Sequence, residues 1–207
     1  VAVKVCGVTS EEDALMAARA GADAVGLVFW PGSARRVDVA CARRIAEALP
    51  PLVLRVGVFV DAPREEMTRI ADEVGLDLLQ LHGSEPPERL AGLPRRALKA
   101  VRVGSGFTAE EALRYEGRAA GVLLDTRAEA APGGTGTPFD WSLARAVREG
   151  ASYLVLAGGL TEDNVALAIR EVRPDAVDVS TGVESSPGRK DPEKVRRFLE
   201  VVRSTQR

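Results

Sequence analysis

The sequence predicts an α/β fold, a single-domain (β/α)8 or TIM barrel over residues 1–207, and three observations carry that prediction. Short apolar runs with little alternation, the mark of strands buried on both faces, take turns with amphipathic stretches of helical period. The strand centres recur about every 25 residues, the length of one βα unit with its two loops. Eight such units fill a chain of 207 residues, near the lower size limit of that fold. An open doubly wound sheet is the rival, because βα alternation does not by itself demand closure. The repeat count favours the barrel.

The first strand, Ala2–Val5, is a mostly β-branched run that carries Lys4 and stops at Cys6-Gly7. Ser10 then caps a helix over Glu11–Ala20. The second unit is Ala24–Phe29 with Val39–Leu49. Its apolar run Val25–Trp30 is far short of the roughly 20 residues a bilayer crossing needs. Leu52–Val60 reads as the third strand, and Asp61-Ala62-Pro63 opens the helix Pro63–Val74, where Met67, Ile70, Ala71 and Val74 recur at helical spacing. Leu78–Leu81 with Pro87–Leu93 forms the fourth unit, Ala97–Val101 with Ala109–Tyr115 the fifth, and Gly121–Leu124 with Trp141–Arg148 the sixth. Tyr153–Leu156 with Glu162–Val172, then Ala176–Val179 with Pro192–Val202, complete the set; Asp191-Pro192 announces the last helix.

Composition narrows the class of partner. The chain is 45% hydrophobic with a net charge of -2, its acids and bases interspersed, so neither nucleic acid nor an anionic membrane is implied. A small molecule is the expected substrate. Cys6 and Cys41 cannot form a secreted disulfide framework, and Lys4, Glu11, Glu12 and Asp13 interrupt the region where a signal peptide needs an apolar run. The cytoplasm is the expected location, and a homodimer is an open option.

In a barrel the loops after the strands form the active face, so the strand ends are where chemistry belongs. Cys6 ends strand one; Arg35 and Arg36 follow strand two, suited to a carboxylate or a phosphate. Gln80-Leu81-His82-Gly83 follows strand four and Asp125 strand six. Gly158-Gly159 and Ser180-Thr181-Gly182 follow the last two strands, where exposed N–H groups and hydroxyls can cradle a phosphate. Each feature has a plainer reading. The glycine pairs can be ordinary turns, and Cys6 a small buried hydrophobe. Asp125, directly after Val122-Leu123-Leu124, is costly there unless paired, solvated or used. His82 is the only histidine, which excludes His-rich metal sites, and it reads as structural or peripheral. Cys41 reads as a packing residue. Lys4 and Cys6 share one side of their strand, so Lys4 can serve as a Schiff-base lysine, a thiolate tuner or a substrate contact.

Seven motifs in order then point to a family. Lys4-Val5-Cys6-Gly7, Gln80-Leu81-His82-Gly83, Leu123-Leu124-Asp125-Thr126, Gly133-Gly134-Thr135-Gly136, Phe139-Asp140-Trp141, Ala157-Gly158-Gly159-Leu160 and the run from Asp178 to Glu184 together resemble phosphoribosylanthranilate isomerase of tryptophan biosynthesis. The resemblance is collinear along nearly the whole chain. Ala34, where the family often has proline, and Thr135 and Thr181, where serine is common, are mild departures.

The resemblance implies a cofactor-free, metal-free Amadori rearrangement of a small phosphorylated substrate. Asp125 matches the general acid that opens the furanose ring, and Cys6, as thiolate, matches the base that removes the ribose C2 proton. A thiol with an ordinary pKa of about 8.5, lowered by its surroundings, suffices for a proton acidified by the adjacent iminium. Arg35 matches the residue gripping the anthranilate carboxylate, with Arg36 beside it as the other candidate. The implied phosphate and substrate contacts are Gly134, Thr135, Gly136, Gly158, Gly159, Asp178, Ser180, Thr181 and Gly182. The long connection between Asp125 and Asp140 is expected to close as a lid. Two alternatives stand beside this reading: the related isomerase of histidine biosynthesis, and a non-catalytic phosphate-ligand barrel.

Overall fold

The computed structural model describes residues 1–126 and 140–205. Eight parallel strands, Ala2–Cys6 (β1), Ala24–Val28 (β2), Leu54–Phe59 (β3), Leu78–Leu81 (β4), Ala97–Val103 (β5), Gly121–Thr126 (β6), Leu154–Leu156 (β7) and Ala176–Val179 (β8), pair in sequence order into a closed barrel. The β1–β8 pairing closes it and sets Lys4 opposite Asp178, while the β1–β2 register sets Cys6 opposite Gly26. The open-sheet alternative is excluded.

Helices Glu11–Ala20 (α1), Val39–Ala48 (α2), Arg64–Val74 (α3), Ala109–Leu113 (α4), Trp141–Gly150 (α5), Val165–Val172 (α6) and Pro192–Ser204 (α7) surround the barrel. Strand residues such as Val5, Leu27, Leu79 and Leu124 bury their outward faces against helix residues such as Ala14, Ile45, Met67 and Phe198. Inside, Leu98, Ala100, Leu123, Val155 and Ala176 fill the lower barrel. Towards the mouth the interior becomes polar, with Lys4, Gln80 and Asp178 buried there.

Three elements depart from the sequence reading. The fourth unit has no α-helix: Pro87–Leu90 is a single 3₁₀ turn. Prolines at 86 and 87, the left-handed Gly92 at φ 69° and Pro94 leave too few residues to turn a helical face inward. The third strand starts at Leu54, since Pro50 and Pro51 hold the chain in a turn and Leu52 is 91% exposed. An unanticipated hairpin, Glu184–Ser186 (β9) with Arg189–Lys190 (β10), follows β8, turning at Pro187-Gly188.

Aspartates just before β2, β4 and β8 clasp the strand that precedes each of them. Asp23, Asp77 and Asp175 accept the backbone N–H of Val3, Arg55 and Leu154 at 2.8, 2.8 and 2.9 Å. Their own N–H groups donate back to the same residues' carbonyls. Burial would raise the Asp77 carboxyl, but bonds from the Arg55 side chain and N–H outweigh it and hold it below the usual carboxylate range. Asp77→Ala is therefore expected to cost roughly 1–3 kcal/mol, read from urea unfolding at neutral pH. Because the folded carboxyl is depressed, its contribution is present above the unfolded value of about 3.9 and is lost as pH falls through the folded one. An Asp77→Ala deficit that stays constant down to pH 2 would contradict this.

Candidate active site

One cavity at the C-terminal mouth gathers most of the expected residues: Cys6, Arg35, Asp125, Gly158, Gly159, Asp178, Ser180 and Thr181 all line it. Cys6 is 8% exposed at the tip of β1. Gly7 follows with φ 71°, and a Cβ there would come within 2.5 Å of Arg35 Cδ. Glycine therefore turns the chain out of the sheet and leaves room for the Arg35 stem to cross. Gly26, across from Cys6, has the same kind of duty: a Cβ would sit 2.7 Å from Cys6 Sγ and 3.0 Å from Lys4 Nζ.

Arg35 is held by Glu184, with Nε to Oε1 at 2.8 Å and Nη2 to Oε2 at 2.7 Å. Among the described residues no hydrogen bond engages its Nη1. Arg36 is exposed and does not line the cavity, so the chain's alternation after β2 separates the two guanidinium groups. Glu184 also takes the buried Lys190 ammonium at 3.0 Å. Burial would raise Glu184, yet Arg35 and Lys190 hold it below the usual range, so it stays an anion. The hairpin residues Glu184 and Lys190 carried no functional signal in the sequence beyond the motif that ends on Glu184.

Asp125 projects from β6 at about one-fifth exposure, its Oδ1 accepting the Thr126 N–H at 2.8 Å. His82 Nε2 lies 3.2 Å from Asp125 Oδ2, and Gln80 Nε2 lies 3.0 Å from His82 Nδ1. The histidine read as peripheral is thus the direct neighbour of the carboxylate. Gln80 Oε1 is buried without a hydrogen-bond partner among the described residues. Turning that amide over would let Oε1 accept from a protonated Nδ1, so the same three residues can hold His82 in either proton arrangement.

Gly158 and Gly159 adopt φ of 86° and 68° after β7, and a Cβ on Gly158 would run into Thr126. Asn164, just before α6, receives the Thr161 N–H at 2.8 Å and donates to the Gly159 carbonyl at 2.9 Å, fixing that loop. Thr181–Val183 forms a 3₁₀ turn whose Gly182 packs directly on the Leu160 carbonyl, where no side chain fits. The N–H groups opening that turn have no partner within it, and the Ser180 and Thr181 side chains line the same wall. Gly134, Thr135 and Gly136, and the expected lid, lie outside the described residues.

The surroundings of Cys6 differ from expectation. Burial pushes its thiol up, and although Lys4 pulls it back down, the net direction is upward. A tip residue with a cation beside it looked lowered in sequence; enclosure by the barrel reverses the sign.

This arrangement has known counterparts. Residues 3–201 match the family model described as N-(5'phosphoribosyl)anthranilate (PRA) isomerase. A Pseudomonas aeruginosa (strain UCBPP-PA14) protein named N-(5'-phosphoribosyl)anthranilate isomerase is 54% identical over 208 residues, covering 100% of this chain and 97% of that protein. The crystal structure of phosphoribosyl anthranilate isomerase from Thermotoga maritima superimposes with a TM-score of 0.91 at 46% identity, over 98% of both chains. A phosphoribosyl anthranilate isomerase in complex with reduced 1-(o-carboxyphenylamino)-1-deoxyribulose 5-phosphate gives 0.88 at 45% identity, again over 98% of both chains. With likeness of this degree running the length of the barrel, and residues of five of the seven motifs lining one cavity, the chain belongs to the N-(5'-phosphoribosyl)anthranilate isomerase family.

Proposed function

We propose that this protein isomerises N-(5-phosphoribosyl)anthranilate to 1-(2-carboxyphenylamino)-1-deoxyribulose 5-phosphate, a step of tryptophan biosynthesis, by general acid–base catalysis. The observation that carries this reading is that Cys6, Asp125 and the glycine loops after β7 and β8 open into one cavity. Acid, base and anion cradle can therefore reach a single sugar phosphate. Only proton transfers are required, so the reading calls for no cofactor and no metal.

The substrate phosphate sits on Gly158-Gly159 and Ser180-Thr181-Gly182, where backbone N–H groups and hydroxyls supply donors. Gly134, Thr135 and Gly136 belong to the same proposed contact set. At the other end, Arg35 offers Nη1 to the anthranilate carboxylate while Glu184 fixes its plane. Val28, Val58 and Trp30 form an apolar wall beside Cys6 for the aromatic ring. Asp125 gives its proton to the furanose ring oxygen; the C1–O bond breaks and the anilino nitrogen becomes an iminium. The Cys6 thiolate then takes the C2 proton, the C–H electrons form the C1–C2 double bond, and the iminium is neutralised to an enolamine. Tautomerisation to the C2 ketone completes the isomerisation.

Loss of anthranilate-type fluorescence when the purified protein meets freshly made phosphoribosylanthranilate tests the activity. A histidine-pathway aminoaldose substrate serves as the control, and turnover of that substrate alone would overturn the assignment. Arg35→Met tests the carboxylate grip: KM is expected to rise about 10- to 100-fold, equivalent to roughly 1.5–3 kcal/mol for a charge-assisted bond, with a smaller effect on kcat. If Arg36→Met raises KM instead, the guanidinium assignment is wrong.

We further read the chain as one barrel domain acting in the cytoplasm. Its two cysteines are free, and no helix among the described residues is long and apolar enough to cross a membrane. A homodimer is part of this reading. Leu52, 91% exposed in the turn before β3, and Leu54, 47% exposed at its start, give it an apolar surface, and sedimentation equilibrium decides it.

A further inference from the structure

Lys4 is buried, 4% exposed, and donates to Asp178 Oδ1 at 3.0 Å across the seam that closes the barrel. A buried ion pair is a poor source of stability, since desolvation consumes most of the attraction. A structural tie between β1 and β8 does not need one either, because the backbone ladder already joins them over four residue pairs. What sets this pair apart is its neighbour. Cys6 Sγ and Lys4 Nζ both lie within 3.0 Å of the point a Gly26 Cβ would occupy, so the absence of that one carbon leaves room for sulfur and ammonium side by side.

Three ionisable groups thus share one small volume, and their signs oppose. Burial would lower Lys4, but the negative charges of Asp178 and Cys6 more than offset it and keep it protonated. On Cys6, burial raises the thiol, Lys4 lowers it and Asp178 raises it, with Lys190 of β10 lowering it from further off. Arg35, in the loop after β2, also responds to a charge on Cys6. Asp178 is raised by burial and lowered by Lys4, with Asp125 of β6 raising it and His82 lowering it across the barrel. One ammonium therefore serves two acids.

We propose that Lys4 is the counter-ion of the Cys6 thiolate and that Asp178 competes with the thiolate for it while holding it in place. The pair thereby sets the pH at which Cys6 ionises. Both are positioning residues that act through Cys6, whose proton leaves to bulk water before substrate enters. The inference rests on reading Cys6 as the base, and it deepens that reading by naming what sets the base's strength.

Because the two partners have opposite charge, their removal has opposite consequences, which a mere tie between strands would not produce. In a Cys41→Ala background, leaving Cys6 as the single thiol, the pH dependence of alkylation by iodoacetamide reports its ionisation without any turnover. Lys4→Met is expected to move the alkylation midpoint up by about one pH unit or more. Asp178→Asn, which keeps an acceptor for Lys4 but removes the competing charge, is expected to move it down. The acid limb of kcat/KM should follow each shift. Midpoints that move together, or stay put, overturn the proposal. If Lys4→Met does not fold by circular dichroism, Lys4→Gln replaces it, and the sign for the isosteric Asp178→Asn still decides. A protein that shows the opposed alkylation shifts but does not turn over phosphoribosylanthranilate would retain this charge device and lose the isomerase reading instead.

Discussion

Cys6→Ser is expected to lower kcat by about 10²–10⁴ while a reduced product analogue binds almost as before. A hydroxyl fits the space opposite Gly26, so the loss reports acidity and not packing. Serine cannot reach the anionic state at any working pH, even with Lys4 alongside. Cys6→Asp, which presents a carboxylate base, is expected to recover part of the rate. In the wild-type enzyme burial leaves the thiol above its ordinary range, so kcat/KM should climb with pH into the alkaline region rather than level off near neutrality. Near-wild-type kcat in Cys6→Ser would falsify the thiolate base and return Cys6 to a packing role.

Asp125→Asn is expected to have an effect of the same order, about 10²–10⁴ on kcat, because a carboxamide has no acidic proton to place on the ring oxygen. The substitution keeps the Oδ1 acceptor for the Thr126 N–H and a polar partner for His82, so unfolding midpoints should hardly move. Rapid-mixing fluorescence would locate the block before ring opening, with no iminium accumulating. Turnover within threefold of wild type would show that another group, with His82 the nearest, delivers the proton.

Much of this site was legible along the chain because barrel topology turns sequence order into geometry. Every strand of a parallel barrel ends on the same face, so Cys6, Asp125 and Ser180 had to converge once closure was granted. Strand alternation likewise put Lys4 and Cys6 on one side. Of the two readings of His82, structural and peripheral, the structure corrects the second, because a lone histidine has no spacing to reveal a partner. Its proximity to Asp125 depends on how far β4 and β6 lean toward each other across the mouth. The fourth helix failed for a local reason, since apolar spacing over Pro87–Leu93 ignored prolines and glycine that truncate it to one turn.

The eightfold strand repeat, the strand ends that bear chemistry and the glycines that turn there are already written in the order of residues, because these follow from periodicity and from what a backbone without Cβ allows. Tertiary structure alone decided the charge relations: Arg35 on Glu184, Glu184 on Lys190, Lys4 on Asp178, and a Cys6 thiol moved upward. The members of the first and third of these pairs are separated by 149 and 174 residues in the chain. Their energies depend on distances of about 3 Å and on enclosure from water, and neither quantity exists until the barrel closes.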